Sequence, residues 1–135
     1  MGKIPMIERY IDVDGAWGIL FCYDYSRKDF DRMRAIMESF LLPEYKIIEA
    51  MDVLRKKNTG MTISNSATTM SVMFVSPATS YSQFADTIAH ELDHVQDAIL
   101  RHYGVEHGGE EAAWLQGYLM RKFSPLMCGH EEDEY

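Results

Sequence analysis

The feature that most constrains the fold is a long amphipathic segment in the second half of the chain, from Ser80 to Tyr103. Ser80 and Gln83 stand in the capping-box relation that begins a helix, and Gly104 is typical of the residue that follows a helix end. Apolar residues recur between these signals at helical spacing and form one stripe: Phe84, Ile88, Leu92, Val95, Ile99 and Tyr103. The sequence therefore predicts one helix over 80–103, packed through this stripe on the rest of the protein.

The same segment carries the motif His90-Glu91-Leu92-Asp93-His94, which has the pattern HExxH. Histidines four positions apart lie one helical turn apart on one face, so both imidazoles can reach a single metal ion. Glu91 is then close to any water that the metal binds, where a carboxylate can act as general base. At about 100° per residue, both histidines lie outside the apolar stripe and Glu91 lies between them and the stripe. We therefore expect Glu91 to be partly desolvated, which costs stability unless it has a partner or a task.

A catalytic zinc site needs three protein ligands and an open fourth position, and the motif supplies two. Glu110 and Glu111 follow the second histidine by 16 and 17 residues and begin a further predicted helix, which can return against the first. Acids at this position also complement the positive end of a helix. We prefer Glu110 to Glu111 as the third ligand because Ala113 and Gly117 share its face, where small side chains permit close helix packing.

Two other parts of the chain predict β-structure. The apolar run from 16 to 23 follows an Asp14-Gly15 turn signal and indicates a buried strand. The segments 61–64 and 70–75 are β-branched and partly alternating, and the residues between them have turn chemistry. These features predict a β-hairpin.

Helical spacing predicts three further helices, over 29–42, 44–57 and 110–123. The expected fold class is therefore α+β, in which a small twisted sheet (the hairpin plus the N-terminal strand) packs on helices. The helix with HExxH precedes the C-terminal helix with the glutamate. A chain of 135 residues is long enough for one hydrophobic core and too short for two, so residues 1–135 are expected to form one domain. The acidic tail at 129–135 is expected to be frayed.

Composition excludes several classes of function. The net charge of −8 argues against nucleic-acid binding, which requires a basic face. No apolar run approaches the length of a membrane helix, and the first residues lack the apolar core of a secretion signal. Cys22 and Cys128 are far apart and form no CxxC pair, so we expect free thiols and a cytoplasmic location. The oligomeric state is left open.

The pattern His90-Glu91-x-x-His94 followed by Glu110-x-x-Ala113-x-x-x-Gly117 resembles the gluzincin zinc metallopeptidases, chiefly their minimal single-domain members and short peptidase-like proteins of bacteria and phages. The resemblance runs from Met70 to Leu119. It implies a zincin-like domain that hydrolyses peptide bonds, with one Zn²⁺ held by His90, His94 and Glu110. Glu91 would polarise the attacking water, and the strand at 70–75 would pair with an extended peptide substrate.

Two alternatives stay open. Asp93 places a charge where metallopeptidase motifs usually have an uncharged residue, which favours a catalytically silent metal-binding or interaction module of a phage or mobile element. HELDH also resembles the helix motif of peptide deformylases, whose third ligand is an upstream cysteine. Cys22 is the candidate for that role here, although the glycine-rich motif of that family is absent. Manganese, cobalt and nickel also suit the predicted ligands.

Overall fold

The computed structural model describes residues 6–56 and 59–127, and the backbone of 128–131. The predictions for Cys128 and for the end of the acidic tail therefore lie outside the described residues. No helix in the described ranges is long and apolar enough to cross a membrane.

Four strands form a mixed sheet: β1 (Ile7–Val13), β2 (Trp17–Tyr23), β3 (Gly60–Asn65) and β4 (Met70–Val75). Their spatial order is β1-β2-β4-β3, with β2 parallel to β4 and the other neighbours antiparallel. Strand β2 confirms the buried strand predicted at 16–23, and β3 with β4 confirms the predicted β-hairpin.

The first strand was not predicted. Its burial alternates only towards its end, and charged residues such as Glu8 and Asp12 interrupt the apolar positions. The Asp14-Gly15 turn that joins it to β2 was predicted, and both residues have positive φ angles, 51° and 69°. A residue pair of this kind tolerates the left-handed backbone that tight hairpin turns require.

A 3-10 turn (Arg27–Asp29) precedes the first of four helices in the described ranges: α1 (Phe30–Ser39), α2 (Glu44–Arg55), α3 (Tyr81–Tyr103) and α4 (Glu110–Glu131). All four were predicted, but α4 continues through Pro125, beyond the predicted end at residue 123. Phe123 and Met127 are buried and extend the apolar stripe of α4 past the basic residues that had indicated its end.

Helices cover both faces of the sheet, and the fold class is α+β as predicted. Side chains alternate along β2, so Phe21 packs with α3 and α4, whereas Cys22 packs with α1 and α2. Cys22 is fully buried, and burial raises the pKa of its thiol to about 12. It is therefore a protonated core residue.

Candidate functional site

The helix with HExxH is fixed at both ends by the predicted signals. The Ser80 hydroxyl accepts a hydrogen bond from the Gln83 amide at 3.1 Å, and the Gln83 side chain accepts one from the Thr79 amide at 2.6 Å. Gly104 ends the helix in the left-handed conformation with φ 68°. These caps fix where α3 begins and ends, and its apolar stripe decides which residues face the sheet.

The structure brings His90, Glu91 and His94 to one cavity of about 250 Å³, whose opposite wall is the start of β3 and the residue before it, 59–62. Both histidines are exposed, and their ring centroids lie 5.0 Å apart. The two imidazoles therefore share a solvent-accessible face, one helical turn apart.

Glu91 lies at the base of this cavity and is only 4% exposed, in agreement with the desolvation expected from its position. The Thr62 hydroxyl donates a hydrogen bond of 2.8 Å to its Oε1. A Cβ atom on Gly60 would lie 3.1 Å from Cγ of Glu91 and 2.9 Å from Cγ2 of Thr87. Since such distances are too short for carbon atoms, α3 approaches β3 this closely only because residue 60 has no side chain.

Tyr25 also interacts electrostatically with Glu91, and the sequence did not point to it. It follows β2 and is 6% exposed. Burial raises the pKa of its phenol, and the negative charge of Glu91 raises it further. Tyr25 is therefore a neutral hydroxyl within electrostatic reach of the Glu91 carboxylate. No sequence signal indicated it, whereas Thr62 occupies a polar alternate position between Met61 and Ile63 in the predicted hairpin.

The strand beside the cavity differs from the one that was predicted. The segment 70–75 was expected to be the substrate-facing edge, but β4 is paired on one side with β2 and on the other with β3. A strand with both neighbours in place has no free backbone groups to pair with a peptide, so this prediction is wrong. The edge strand next to His90 and His94 is β3.

The structure does not bring Glu110 together with the histidines. Glu110 is exposed and lines a separate cavity with residues from the end of α3. The start of α4 packs on the flank of α3 that carries Gln96, whose Nε2 donates to the Ala112 carbonyl at 2.6 Å. In the described ranges, no three His, Cys, Asp or Glu side chains lie close enough together to hold a metal ion.

The packing argument that favoured Glu110 over Glu111 is wrong. Ala113 is exposed, and a Cβ atom on Gly117 would meet nothing within 4 Å, so neither residue marks a close approach between the helices. The small residue buried against α3 is Ala112, at 4% exposure. Because Glu111 lines the same cavity as Glu110, the structure does not separate the two.

Cys22 does not join the site either. It belongs to the core on the α1–α2 side of the sheet, whereas the histidines lie on the side of α3. A thiol on the other side of the sheet cannot bind a metal held by these imidazoles, so Cys22 does not complete the ligand set expected of a deformylase.

No family model, no curated protein and no solved structure is found to match this chain. The case for its function therefore depends on the arrangement of its own residues.

Replacing Thr62 by valine is expected to lower the free energy of unfolding by about 1–2 kcal/mol, since valine keeps the shape but leaves the buried Glu91 Oε1 without its donor. Urea denaturation measures this change. Thr62→Ser keeps the hydroxyl and is the matched control. Equal stability of the valine variant and the wild type would show that this hydrogen bond does not hold Glu91.

Proposed function

We propose that this protein is a zinc-dependent metallopeptidase with a zincin-like fold, in which His90 and His94 hold the metal and Glu91 is the general base. The observation that supports this most is a buried carboxylate at the base of a polar cavity, between two histidines on one helical turn and an edge strand. Buried carboxylates are rare in proteins because burial costs free energy, and this one opens onto the cavity with the imidazoles.

The donors present suit zinc in part. Two neutral imidazoles are ligands that zinc prefers, and both are accessible from the cavity. The third ligand stays a prediction, with Glu110 as the first candidate and Glu111 as the second. A bound zinc ion supplies Lewis-acid chemistry: it polarises a carbonyl group and lowers the pKa of a coordinated water.

The protein residues have separate tasks in this proposal. Thr62 holds Oε1 of Glu91, which leaves Oε2 as the oxygen that takes a proton from the attacking water and passes it to the leaving amine. Gly60 lets β3 approach α3 closely enough for Thr62 to reach Glu91.

The substrate in this proposal is an extended peptide. As the last strand of the sheet, β3 has backbone groups directed away from β4 that an added strand can pair with. A peptide in that position runs past His90 and His94, because 59–62 and the histidines line the same cavity. Backbone pairing would hold the peptide carbonyl beside the proposed metal position.

Metal content is the direct test. Protein prepared without a histidine tag is expected to contain about one zinc ion per chain by elemental analysis, and His90→Ala or His94→Ala should reduce this at least tenfold, because each removes one of the few ligands. His107→Ala is the matched control, since His107 lies outside the cavity and contacts Asp97. A low zinc content in the wild type that His94→Ala leaves unaltered would contradict the site.

The same measurement decides the third ligand. Loss of zinc in Glu110→Gln with retention in Glu111→Gln would assign Glu110, and the reverse result would assign Glu111. Retention in both would place the remaining ligand elsewhere.

A catalytically silent metal-binding or interaction module is the second candidate function. The placement of Glu110 in a different cavity from the histidines favours it, because two ligands alone hold zinc weakly. Hydrolysis of a broad peptide library distinguishes the two functions: the module binds metal but does not cleave.

A further inference from the structure

A second cavity, of about 600 Å³, lies between the end of α3 and the start of α4. Its apolar walls include Leu100 and Val105, and two aromatic side chains stand at its opening: Tyr103 is 50% exposed and Trp114 is 61% exposed. The proposed peptidase shares with this cavity only Glu110 and Glu111, its candidate third ligands. Large aromatic side chains are enriched in protein interfaces because they bury a large apolar area when a partner covers them.

Hydrogen bonds and stacking hold both aromatic residues in place. The Tyr103 hydroxyl donates to the Ala16 carbonyl at 2.9 Å, which ties it to the β1–β2 turn. The Trp114 ring stacks on Tyr118 with centroids 5.6 Å apart, and Tyr118 donates to Asp14 of the same turn at 2.7 Å. Side chains that are already ordered lose little conformational entropy when a partner binds.

The edge of the cavity is negatively charged. Glu110 and Glu111 both line it and are exposed, and neither forms an ion pair with any residue that the structure describes. Of the basic side chains on α3 and α4, Arg101 is paired with Asp97, and Arg121 and Lys122 lie over the ring of Tyr118. The edge therefore attracts a cation next to an apolar surface.

We propose that this cavity docks a segment of a partner protein that presents an apolar side chain next to lysine or arginine. The apolar side chain fills the space between Leu100 and Trp114, and the basic group lies against Glu110 and Glu111. The charge argues against a second copy of this chain, whose net charge is −8. The inference requires Glu110 and Glu111 to face the partner and not a metal ion, and the zinc content of Glu110→Gln and Glu111→Gln distinguishes the two assignments.

The test uses a fluorescently labelled peptide with leucines at helical spacing among lysines, and measures its binding to the full chain by anisotropy. Trp114→Ala is expected to weaken binding at least tenfold, as truncation of an aromatic anchor does. The double variant Glu110→Gln and Glu111→Gln should weaken it roughly three- to tenfold, and more salt should reduce that difference. In the wild type, peptide binding should shift Trp114 emission to shorter wavelength, whereas Trp17 is already buried.

Two controls separate this site from general attraction to an acidic protein. Asp31→Asn with Glu49→Gln removes the same charge from exposed positions on other helices, and Tyr45→Ala removes an exposed aromatic ring from α2. Both controls should bind the peptide as the wild type does. Peptides with glutamate in place of lysine, or serine in place of leucine, should bind at least tenfold more weakly.

Three results would overturn the proposal. Equal weakening by the control pair and by the Glu110 and Glu111 pair would mean non-specific charge attraction. Binding of hexylammonium ion alone at the affinity of the peptide would make the cavity a small-molecule site. A dimer that sedimentation detects in the wild type and not in Trp114→Ala would make a second copy the occupant.

Discussion

Glu91→Gln is expected to reduce peptide hydrolysis by roughly 10²–10⁴-fold while zinc content stays at the wild-type level. Glutamine keeps the size of the side chain and a carbonyl oxygen that can accept the hydrogen bond from Thr62, so the cavity keeps its shape. It cannot take up a proton from water at neutral pH. The measurement is the rate of cleavage of a peptide library, with elemental analysis of the same samples.

The result separates the two candidate functions. Asp31→Asn is the matched control, because Asp31 is exposed on α1 and lines neither of the cavities that contain His90 and Glu91. It should leave both rate and zinc content close to those of the wild type. If wild type and Glu91→Gln are equally inactive while both bind zinc, the silent metal-binding module replaces the peptidase.

Gly60→Val should have the largest effect on stability among the substitutions around the cavity, a loss of about 1–3 kcal/mol in the free energy of unfolding. Its Cβ would meet Thr87 at 2.9 Å and Glu91 at 3.1 Å, so α3 must move away from β3 or these side chains must leave their positions. Valine has a higher β-strand propensity than glycine, which stabilises the strand, but this gain in free energy is smaller than the loss from the steric clash. We also expect hydrolysis to fall, since the displacement acts on Glu91.

Gly117→Ala is the control for this prediction. The added Cβ meets nothing within 4 Å, and the position is inside α4. Alanine should therefore raise the free energy of unfolding by about 0.5–1 kcal/mol, as it does in helix interiors. Urea denaturation curves of the two variants test the pair together. A stabilised Gly60→Val variant would contradict the close contact between α3 and β3.

The helix with HExxH could be predicted because the sequence signals that define it lie close together in the chain. Caps, apolar period and motif all lie within 80–104, and they were enough to place Glu91 between the core and the histidines. The angle of Glu91 on the helix predicts partial desolvation, and the close approach of β3 at Gly60 completes its burial. The β3–β4 hairpin and the run at β2 were predictable for the same reason.

The surroundings of the motif were not predictable, because they depend on pairings between distant segments. Which strand forms the edge follows from the parallel pairing of β2 with β4, for which no local pattern exists. The position of Glu110 follows from the buried stripe of α4: Ala112, Leu115, Leu119 and Phe123. At about 100° per residue, this stripe lies on the opposite side of α4 from Glu110. The sequence alone was therefore enough to predict that Glu110 faces away from the core.

The strand order also has a consequence for the order of folding. The β1–β2 and β3–β4 hairpins each close through a short turn and need only local contacts. The pairing between them joins Gly18 to Met70 and must close a chain segment that contains α1, α2 and β3. Because non-local pairing carries the greater entropy cost, we expect docking of the two hairpins to limit the folding rate. Helix α3, which carries HExxH, can pack on the complete sheet only after the two hairpins have docked.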